Sequence, residues 1–388
     1  MSEHKKTTAR ERQQKRKETR SHLKSTGGRE RQIKKPTASQ KPKLKLPTNR
    51  WLYLIPVGAI VLLAVIFALA AFKDEEADAH PNSIWLNANW THEDRSDEDL
   101  ANLVQKLKSN NVGTIYAYVS SLKEDGNWGG KSAFDSRFSE VQNTVEVFQK
   151  RIKQLYPEAN ILGWIEVQAS LPDYRLDKPQ VQNSIADMSS RLINSMGFDG
   201  VMVDIKPIFE NGNEDFISIL RAVRSKIGLQ SILAVSVPAD LAPSKGNLKL
   251  PEGFATTEWS KEYKQRVAIQ ADHMVVAAYH SYQSDPVDYI NWVAYQTESF
   301  GEAVGDMELE TKVLIGIPAY AAVLPAHDPK IESIAAALDG VSIGKSALGA
   351  SDTVIQGVAI FTDHELSDDE WYQYREKWLD FLSKISSG

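Results

Sequence analysis

Eight short apolar runs, each followed by a longer segment with helical periodicity, constrain the fold of this chain more than any other feature. Such alternation favours parallel strands covered by helices. The region that holds these runs, residues 81–388, has the size of a (β/α)8 barrel, typically about 250 residues or more. We therefore predict an α/β fold of the (β/α)8 TIM-barrel type, with a doubly wound open sheet as the alternative, because element order alone does not prove closure. The predicted strands read IWLNANW, VGTIYAYV, ILGWIEV, GVMVDI, ILAVSV, HMVVAAY, VLIGIP and IQGVAIF.

Serines mark the starts of two predicted helices. Ser96 with Asp99 forms a capping-box pattern before a stripe of apolar residues, and Ser367 with Glu370 forms another after the last predicted strand. The final helix carries an aromatic stripe that we interpret as packing against the barrel rather than as a ligand contact: Trp371, Tyr374 and Trp378.

The first eighty residues differ sharply in composition from the rest. Residues 1–50 hold 17 Lys and Arg against four Glu and lack apolar periodicity, which predicts a disordered basic tail. Residues 51–72 form an uncharged run longer than the roughly 20 residues that a membrane-crossing helix needs, and residues 73–80 read as a linker. The positive-inside rule predicts a single-pass protein of the cell membrane with a cytoplasmic N-terminus and an extracytoplasmic barrel. A cleaved signal peptide is the alternative, although signal peptides have shorter apolar regions of about 7 to 15 residues.

Composition also excludes several function classes. The chain has no Cys, so disulfides, thiolate metal sites and Cys nucleophiles are absent. The region after residue 72 has neither a GxSxG elbow nor a phosphate-binding Gly-rich loop. His280, His327 and His364 do not have paired metal-ligand spacing. We expect no metal, no cofactor and no nucleic-acid partner, and we interpret the basic tail as a solvated segment that sets membrane topology. An exported domain without disulfides suits a bacterium.

The stretch GFDGVMVDIKPI places an acid and a base at the end of a buried strand. The two-residue period of a strand puts Met202, Asp204 and Lys206 on one face, which in a barrel points inward and toward its mouth. Because an isolated buried charge is costly, Asp204 and Lys206 must pair or contact water or ligand. A ligand-facing pair at the active end of the barrel is the favoured hypothesis, and an internal ion pair without function stays open.

These residues resemble the strand-four signature of glycoside hydrolase family 18, the chitinase-like barrels, whose pattern is D-G-x-D-x-D-x-E. Asp199, Gly200 and Asp204 match the pattern, whereas Met202 and Lys206 depart from it. Further segments in the family's order extend the resemblance over most of residues 81–388: LDKPQVQ, LAVSVPAD, MVVAAYHSY, VLIGIPAYA, HDPKIESIAAAL and GVAIFTDHEL.

The resemblance implies a glycosidase cleft in which the strand-four Glu protonates the glycosidic oxygen. Here Lys206 occupies that position, and an ammonium beside Asp204 is a poor general acid. The sixth-strand tyrosine of the family is retained as Tyr279, but its acidic partner is replaced by His280. The favoured hypothesis is therefore a membrane-anchored barrel that recognises a cell-envelope or extracellular glycan, with hydrolysis lost or altered. Beyond Lys206, Tyr279 and His280, the candidate sugar-binding residues are aromatic: Trp90, Tyr118, Trp164, Tyr282 and Tyr320.

Three alternatives remain. The first is an active glycoside hydrolase in which Glu166 is the acid and Asp204 its partner, with Asp363 and Glu365 as weaker candidates. In the second, Lys206 is a Schiff-base nucleophile, although the neighbouring Asp204 opposes the loss of its proton. In the third, the barrel is a scaffold for another envelope protein and binds no glycan.

Overall fold

The structure, a computed structural model, describes residues 81–130, 136–169, 175–206, 212–241, 257–307, 309–362 and 366–386. The predicted basic tail, membrane-spanning helix and linker lie outside these residues. Within the part of the chain that the structure describes, every helix is too short or too polar to cross a membrane.

The described chain contains a closed barrel of eight parallel strands in sequence order, as the alternation of apolar runs predicts. The sheet closes where Ser83 and Ile84 of the first strand pair with Ala359 and Ile360 of the last. The strands are β1 (Asn82–Leu86), β2 (Val112–Leu122), β3 (Asn160–Gln168), β4 (Gly200–Lys206), β5 (Ile232–Pro238), β6 (His273–Ala277), β7 (Lys312–Ala319) and β8 (Ile355–Thr362).

A helix follows each strand and covers the outside of the barrel. The helices are α1 (Asp97–Ser109), α2 (Phe138–Leu155), α3 (Pro179–Asn194), α4 (Glu214–Ile227), α5 (Lys261–Ala268), α6 (Pro286–Gly305), α7 (Ile334–Ala347) and α8 (Asp368–Tyr374). A π-helical turn, Arg375–Leu379, and a last helix, Asp380–Ser386, continue α8. Both predicted capping boxes are confirmed, at Ser96 for α1 and at Ser367 for α8.

The first strand is shorter than predicted, because the chain turns into helix immediately after Leu86. The Asn87 side chain accepts a hydrogen bond from the backbone N–H of Asn89 and caps a one-turn helix, Ala88–Thr91. An Asn that caps a helix satisfies a donor that would otherwise lack a partner, so the polar NAN sequence favours the turn over a longer strand. Trp90 therefore lies in this helix and not in β1.

Two apolar layers hold the barrel together. The larger layer lies between the sheet and the helices and includes the predicted aromatic stripe of the last helices, in which Trp371, Tyr374 and Trp378 are all buried. The smaller layer fills the barrel interior with one or two inward-facing side chains from each strand, including Trp85, Trp164 and Met202. The interior is thus packed, and the polar inward-facing residues lie above it, at the carboxyl ends of the strands.

Candidate functional site

The mouth of the barrel carries a charged pair on β4. Asp204 follows Met202 by two residues on the inward face, and its carboxylate is 1 % exposed. The Lys206 ammonium lies 2.8 Å from Asp204 Oδ2, and the Lys206 side chain is 39 % exposed. Trp164 on β3 donates its indole N–H to the same oxygen over 3.2 Å. Asp204 Oδ2 is therefore occupied by protein donors, whereas the buried Oδ1 has no hydrogen-bond partner among the described residues.

The Lys206 ammonium is held in its charged form. Burial by itself lowers the pKa of Lys206, but the Asp204 carboxylate beside it, with smaller contributions from Tyr279 and Glu166, outweighs burial, and the pKa lies above its ordinary value. The ammonium also lies over the ring of Phe361, 5.4 Å from its centroid. A lysine that keeps its proton is neither a general acid near neutral pH nor a Schiff-base nucleophile.

Glu166 lies beside this pair on the neighbouring strand. The register of β3 and β4 pairs Glu166 with Asp204 and Gln168 with Lys206, and adjacent strands run about 4.8 Å apart. Burial, with help from the Asp204 carboxylate, raises the pKa of Glu166 above its ordinary value, while Lys206 opposes the shift. A raised pKa is what a carboxyl group needs to donate a proton near neutral pH. Glu166 and Asp204, the two acids of the alternative hydrolase hypothesis, therefore lie next to each other in the sheet.

An aromatic cluster surrounds the charged pair, with Phe361 of β8 at its centre. The Phe361 ring stacks on Tyr279 at 4.7 Å between centroids and meets Tyr320 edge-on at 5.7 Å. It also contacts Trp164 at 6.3 Å, and Trp164 in turn packs against Tyr118 at 5.0 Å. Aromatic faces beside charged groups are suited to binding the apolar face of a sugar ring and its hydroxyl groups.

Tyr279 and His280, which follow β6, complete one side of the mouth. Burial raises the pKa of Tyr279, so its hydroxyl keeps its proton. Burial lowers the pKa of His280 to about 4, so the imidazole is neutral at neutral pH. The Tyr279 hydroxyl and His280 Nε2 are buried and have no hydrogen-bond partner among the described residues. Together with Asp204 Oδ1, they are polar atoms that a bound ligand can satisfy.

The structure places the remaining predicted residues in different surroundings. Trp90 packs against the outer core, and the Arg95 guanidinium lies 4.9 Å from its ring centroid, so Trp90 is not part of the mouth cluster. Tyr282 has a left-handed backbone with φ of 59° and is partly buried.

His327 is buried and pairs with Glu332. Among the described residues no group of three or more His, Asp or Glu side chains is arranged to hold a metal ion. Asp363, His364 and Glu365 lie outside the described residues.

Two of the three residues that match the family signature hold the fold rather than the site. Asp199 precedes β4, at the end of the strand away from the mouth, and its Oδ2 accepts hydrogen bonds from Lys153 Nζ at 2.9 Å and the Ile161 backbone N–H at 2.8 Å. Gly200 lies so close to β5 that a Cβ atom there would come within 2.3 Å of the Ile232 carbonyl oxygen. Asp204 alone of the three reaches the mouth.

The comparisons with known proteins support the barrel architecture. No family model and no curated protein matches the sequence. Among solved structures, the C-terminal domain of a candidate chitinase from Desulfitobacterium hafniense superposes with a TM-score of 0.51 at 13 % identity, covering 78 % of this chain and 99 % of that domain. The fold is that of a chitinase-like barrel.

Two further solved structures superpose at slightly lower scores. One is the spore cortex-lytic enzyme SleL of Bacillus cereus, with a TM-score of 0.49 and 10 % identity over 76 % of this chain and 74 % of that enzyme. The other is a GH18 chitinase from Cycas revoluta in complex with (GlcNAc)4, with a TM-score of 0.48 and 14 % identity over 76 % of this chain and 99 % of that one.

Two residues of the mouth were not predicted from the sequence. Phe361 is the last residue of a predicted strand, and the two-residue period from the inward-facing Ala359 indicates its direction, so the signal was available. Glu332 lies in a long connection after β7, and its contact with the loop after β6 spans more than fifty residues. No local pattern in the sequence indicates that contact.

Proposed function

We propose that the barrel mouth recognises a cell-envelope or extracellular glycan, with hydrolysis lost or altered. The observation that carries this proposal is the 2.8 Å contact between the Lys206 ammonium and Asp204 Oδ2. In the family that the sequence resembles, the residue at position 206 is the carboxylic acid that protonates the leaving oxygen. An ammonium that is held protonated by its neighbours cannot give up a proton and later take one back, as that step requires.

The surroundings of the pair favour a sugar as the ligand. Rings of Tyr279, Tyr320 and Phe361 line the same mouth, and the Asp204 Oδ1 and Tyr279 Oη atoms are buried there without a described partner. Such a mixture of aromatic faces and a few polar groups is typical of sites that bind neutral or weakly charged polar ligands. A uronate, phosphate or sulfate substituent on the glycan would have the Lys206 ammonium as its partner.

We further propose that the barrel is held at the outer side of a bacterial cell membrane by residues 51–72. The length and lack of charge of that run, and the basic residues before it, support this orientation. A protein so placed has its glycan within reach in the cell envelope. When sealed cells are treated with protease, we expect the barrel to be digested and residues 1–50 to be protected. Recovery of a mature protein that begins near Pro81 would contradict the anchor.

One observation favours a second candidate function, an active hydrolase. Glu166 is the register neighbour of Asp204 and has a raised pKa, so it is suited to act as the acid with Asp204 as its partner. In this case cleavage would depend on Glu166 and not on Lys206.

The test is a panel of glycans offered to the full-length protein in detergent. The panel contains (GlcNAc)4, cell-wall polysaccharide and an acidic exopolysaccharide, and both binding and release of reducing ends are measured for the wild type and Lys206→Glu. We expect binding without cleavage by the wild type. Cleavage that disappears in Glu166→Gln would establish the second candidate. Absence of binding to every glycan, with capture of an envelope protein through the mouth, would overturn both in favour of a scaffold.

A further inference from the structure

The loop after β6 has a strained backbone next to the mouth. His280 and Tyr282 have φ angles of 60° and 59°, in the left-handed region that side chains other than glycine rarely adopt. Such a conformation persists only where the surrounding structure fixes it. Ser281, between these two residues, is fully buried. The contacts that the protein makes with this segment therefore fix the position of His280 at the mouth.

The side chain of Glu332, from the connection between β7 and α7, fixes this loop. Glu332 Oε2 accepts a hydrogen bond from the His280 backbone N–H over 3.0 Å, and Oε1 accepts one from the Ser281 backbone N–H over 2.7 Å. The Ser281 hydroxyl also donates to Oε1. Two successive backbone N–H groups that converge on one anion form a binding concavity for it. Here the anion is a carboxylate whose side chain is 1 % exposed.

His327 completes the arrangement. Its Nε2 lies 3.2 Å from the backbone carbonyl oxygen of Tyr320, which only accepts hydrogen bonds, so Nε2 carries a proton. Its Nδ1 lies 2.7 Å from Glu332 Oε2. The Glu332 carboxylate therefore has four hydrogen-bonding contacts, and His327 and Glu332 form a fully buried pair.

The Glu332 carboxylate joins the two connections that carry mouth residues. The His327 ring packs against the Tyr320 ring at 4.0 Å between centroids, and the Tyr320 ring meets that of His280 at 5.4 Å. Removing the Glu332 carboxylate would release the loop that presents His280 while leaving the Asp204 and Lys206 pair on β4 in place.

We propose that Glu332 is a positioning residue for the barrel mouth: its carboxylate, paired with His327, holds the loop after β6 in the left-handed conformation that presents His280 to a bound glycan. This inference rests on the proposed glycan-binding function for its ligand, but the arrangement of the loop is independent of that function.

The experiment compares Glu332→Gln with the wild type as full-length proteins. Glutamine keeps the shape of the side chain but not its charge. We expect hydrogen exchange at the His280 and Ser281 amides to become at least about tenfold faster. We also expect binding of the panel glycan that the wild type binds best, starting with (GlcNAc)4, to weaken at least about tenfold, which is about 1.4 kcal/mol. Glu332→Asp, which keeps the charge, should recover part of both effects, and Ser281→Ala serves as a milder variant if Glu332→Gln fails to fold.

Asp240→Asn is the matched control, because Asp240 is also a buried carboxylate that pairs with a basic side chain and accepts a backbone hydrogen bond. It should lower the melting temperature without changing the exchange of the two amides or the affinity. If Glu332→Gln lowers only the melting temperature, as the control does, the positioning role is wrong. If the wild type binds no glycan but the two amides still respond to Glu332→Gln, the proposed function fails and the role of Glu332 in the loop stands.

Discussion

The barrel contains two pairs of Asp and Lys that look alike in composition and differ in what they leave unsatisfied. Asp204 with Lys206 lies at the mouth, and Asp240 with Lys264 lies outside the barrel, between the end of β5 and helices α5 and α6. In each pair the Asp side chain is 1 % exposed, and in each the ammonium lies over a phenylalanine ring. The Lys206 side chain, however, is 39 % exposed and the Lys264 side chain 3 %.

The outer pair has its hydrogen-bonding groups occupied by protein. Asp240 Oδ1 accepts from the Trp259 backbone N–H at 3.1 Å, while Oδ2 accepts from Lys264 and from the Ser299 hydroxyl. The Lys264 ammonium donates to Ser299 as well, at 2.6 Å. Burial lowers the pKa of Lys264 despite the Asp240 charge. Both carboxylate oxygens of this pair are occupied by protein donors and its ammonium is almost fully buried, so the pair contributes to the fold.

The mouth pair is incomplete by comparison. Asp204 Oδ1 has no partner among the described residues, and more than a third of the Lys206 side chain is open to solvent. The pKa of Lys206 is raised, the opposite direction from Lys264, because the Asp204 carboxylate, with smaller contributions from Tyr279 and Glu166, outweighs its burial. The two pairs have the same composition. Their unused hydrogen-bonding capacity distinguishes the structural pair, Asp240 with Lys264, from the pair that we propose binds a ligand, Asp204 with Lys206.

The largest expected effect concerns stability at the outer pair. Lys264→Met leaves the buried Asp240 carboxylate without its cation, which costs about 3 to 5 kcal/mol in the free energy of unfolding. Lys206→Met also leaves a buried carboxylate, but solvent screens the partly exposed ammonium and Trp164 still donates to Asp204, so the cost should be smaller, about 1 to 3 kcal/mol. Denaturant unfolding of the two variants measures both values. Equal losses would remove the distinction between the pairs.

The next effect concerns the ring beneath each ammonium. Phe361→Ala removes the centre of the mouth cluster and should weaken glycan binding at least about tenfold, or about 1.4 kcal/mol. Phe300→Ala is the matched control: the Lys264 ammonium lies 4.2 Å from the Phe300 ring centroid, so this change should lower stability and leave affinity unchanged. Titration calorimetry with the glycan that binds best in the panel gives the comparison. Weakening by Phe300→Ala to the same degree would show that binding merely follows stability.

A smaller effect is expected in acid. The pKa of His280 falls from 6.5 to about 4 on folding, so the unfolded chain binds a proton that the folded protein does not. The stability that this residue contributes is complete above about pH 6.5 and is lost as the pH falls toward 4. His280→Asn, which tolerates the left-handed backbone, should reduce this loss in thermal melts taken between pH 7 and 4. An unchanged pH profile would contradict a buried, neutral His280.

The smallest effect is expected at Glu166. Its pKa is raised above the ordinary 4.5, so the folded protein holds a proton more tightly than the unfolded chain. The stability that Glu166 contributes is complete below pH 4.5 and is lost as the pH rises through its folded pKa. Glu166→Gln should remove this loss while glycan binding persists. A complete loss of glycan cleavage in the same variant would instead identify Glu166 as the acid of an active hydrolase.

The sequence predicts the barrel well because the signals for its parts are local. Each strand is a short apolar run, each helix has its own apolar stripe, and capping serines such as Ser96 define helix starts within a few residues. Asp204 and Lys206 could be assigned to the mouth for the same reason, since the two-residue period of one strand is enough.

What the sequence could not predict depends on contacts between distant segments. The role of Asp199 is such a case: the match to the signature does not indicate what Asp199 contacts, whereas the structure shows that it ties β4 to its neighbours through Lys153 and Ile161. The contact of Glu332 with the loop after β6 is another, because it depends on how two connections meet across the mouth. The short β1 is a different case, because the signal for its end is local. The Asn87 cap ends the strand at Leu86 and outweighs the apolar pattern that predicts a longer strand.

The most direct test of the mouth as a binding site is one matched pair of variants, Asp204→Asn and Asp240→Asn. Affinity for the panel glycan and the free energy of unfolding are measured for each, in the full-length protein. If the mouth binds the glycan, Asp204→Asn loses affinity at least about tenfold, or about 1.4 kcal/mol, while Asp240→Asn loses stability and keeps the wild-type affinity. Unchanged affinity in Asp204→Asn would contradict the claim that the barrel mouth binds the glycan.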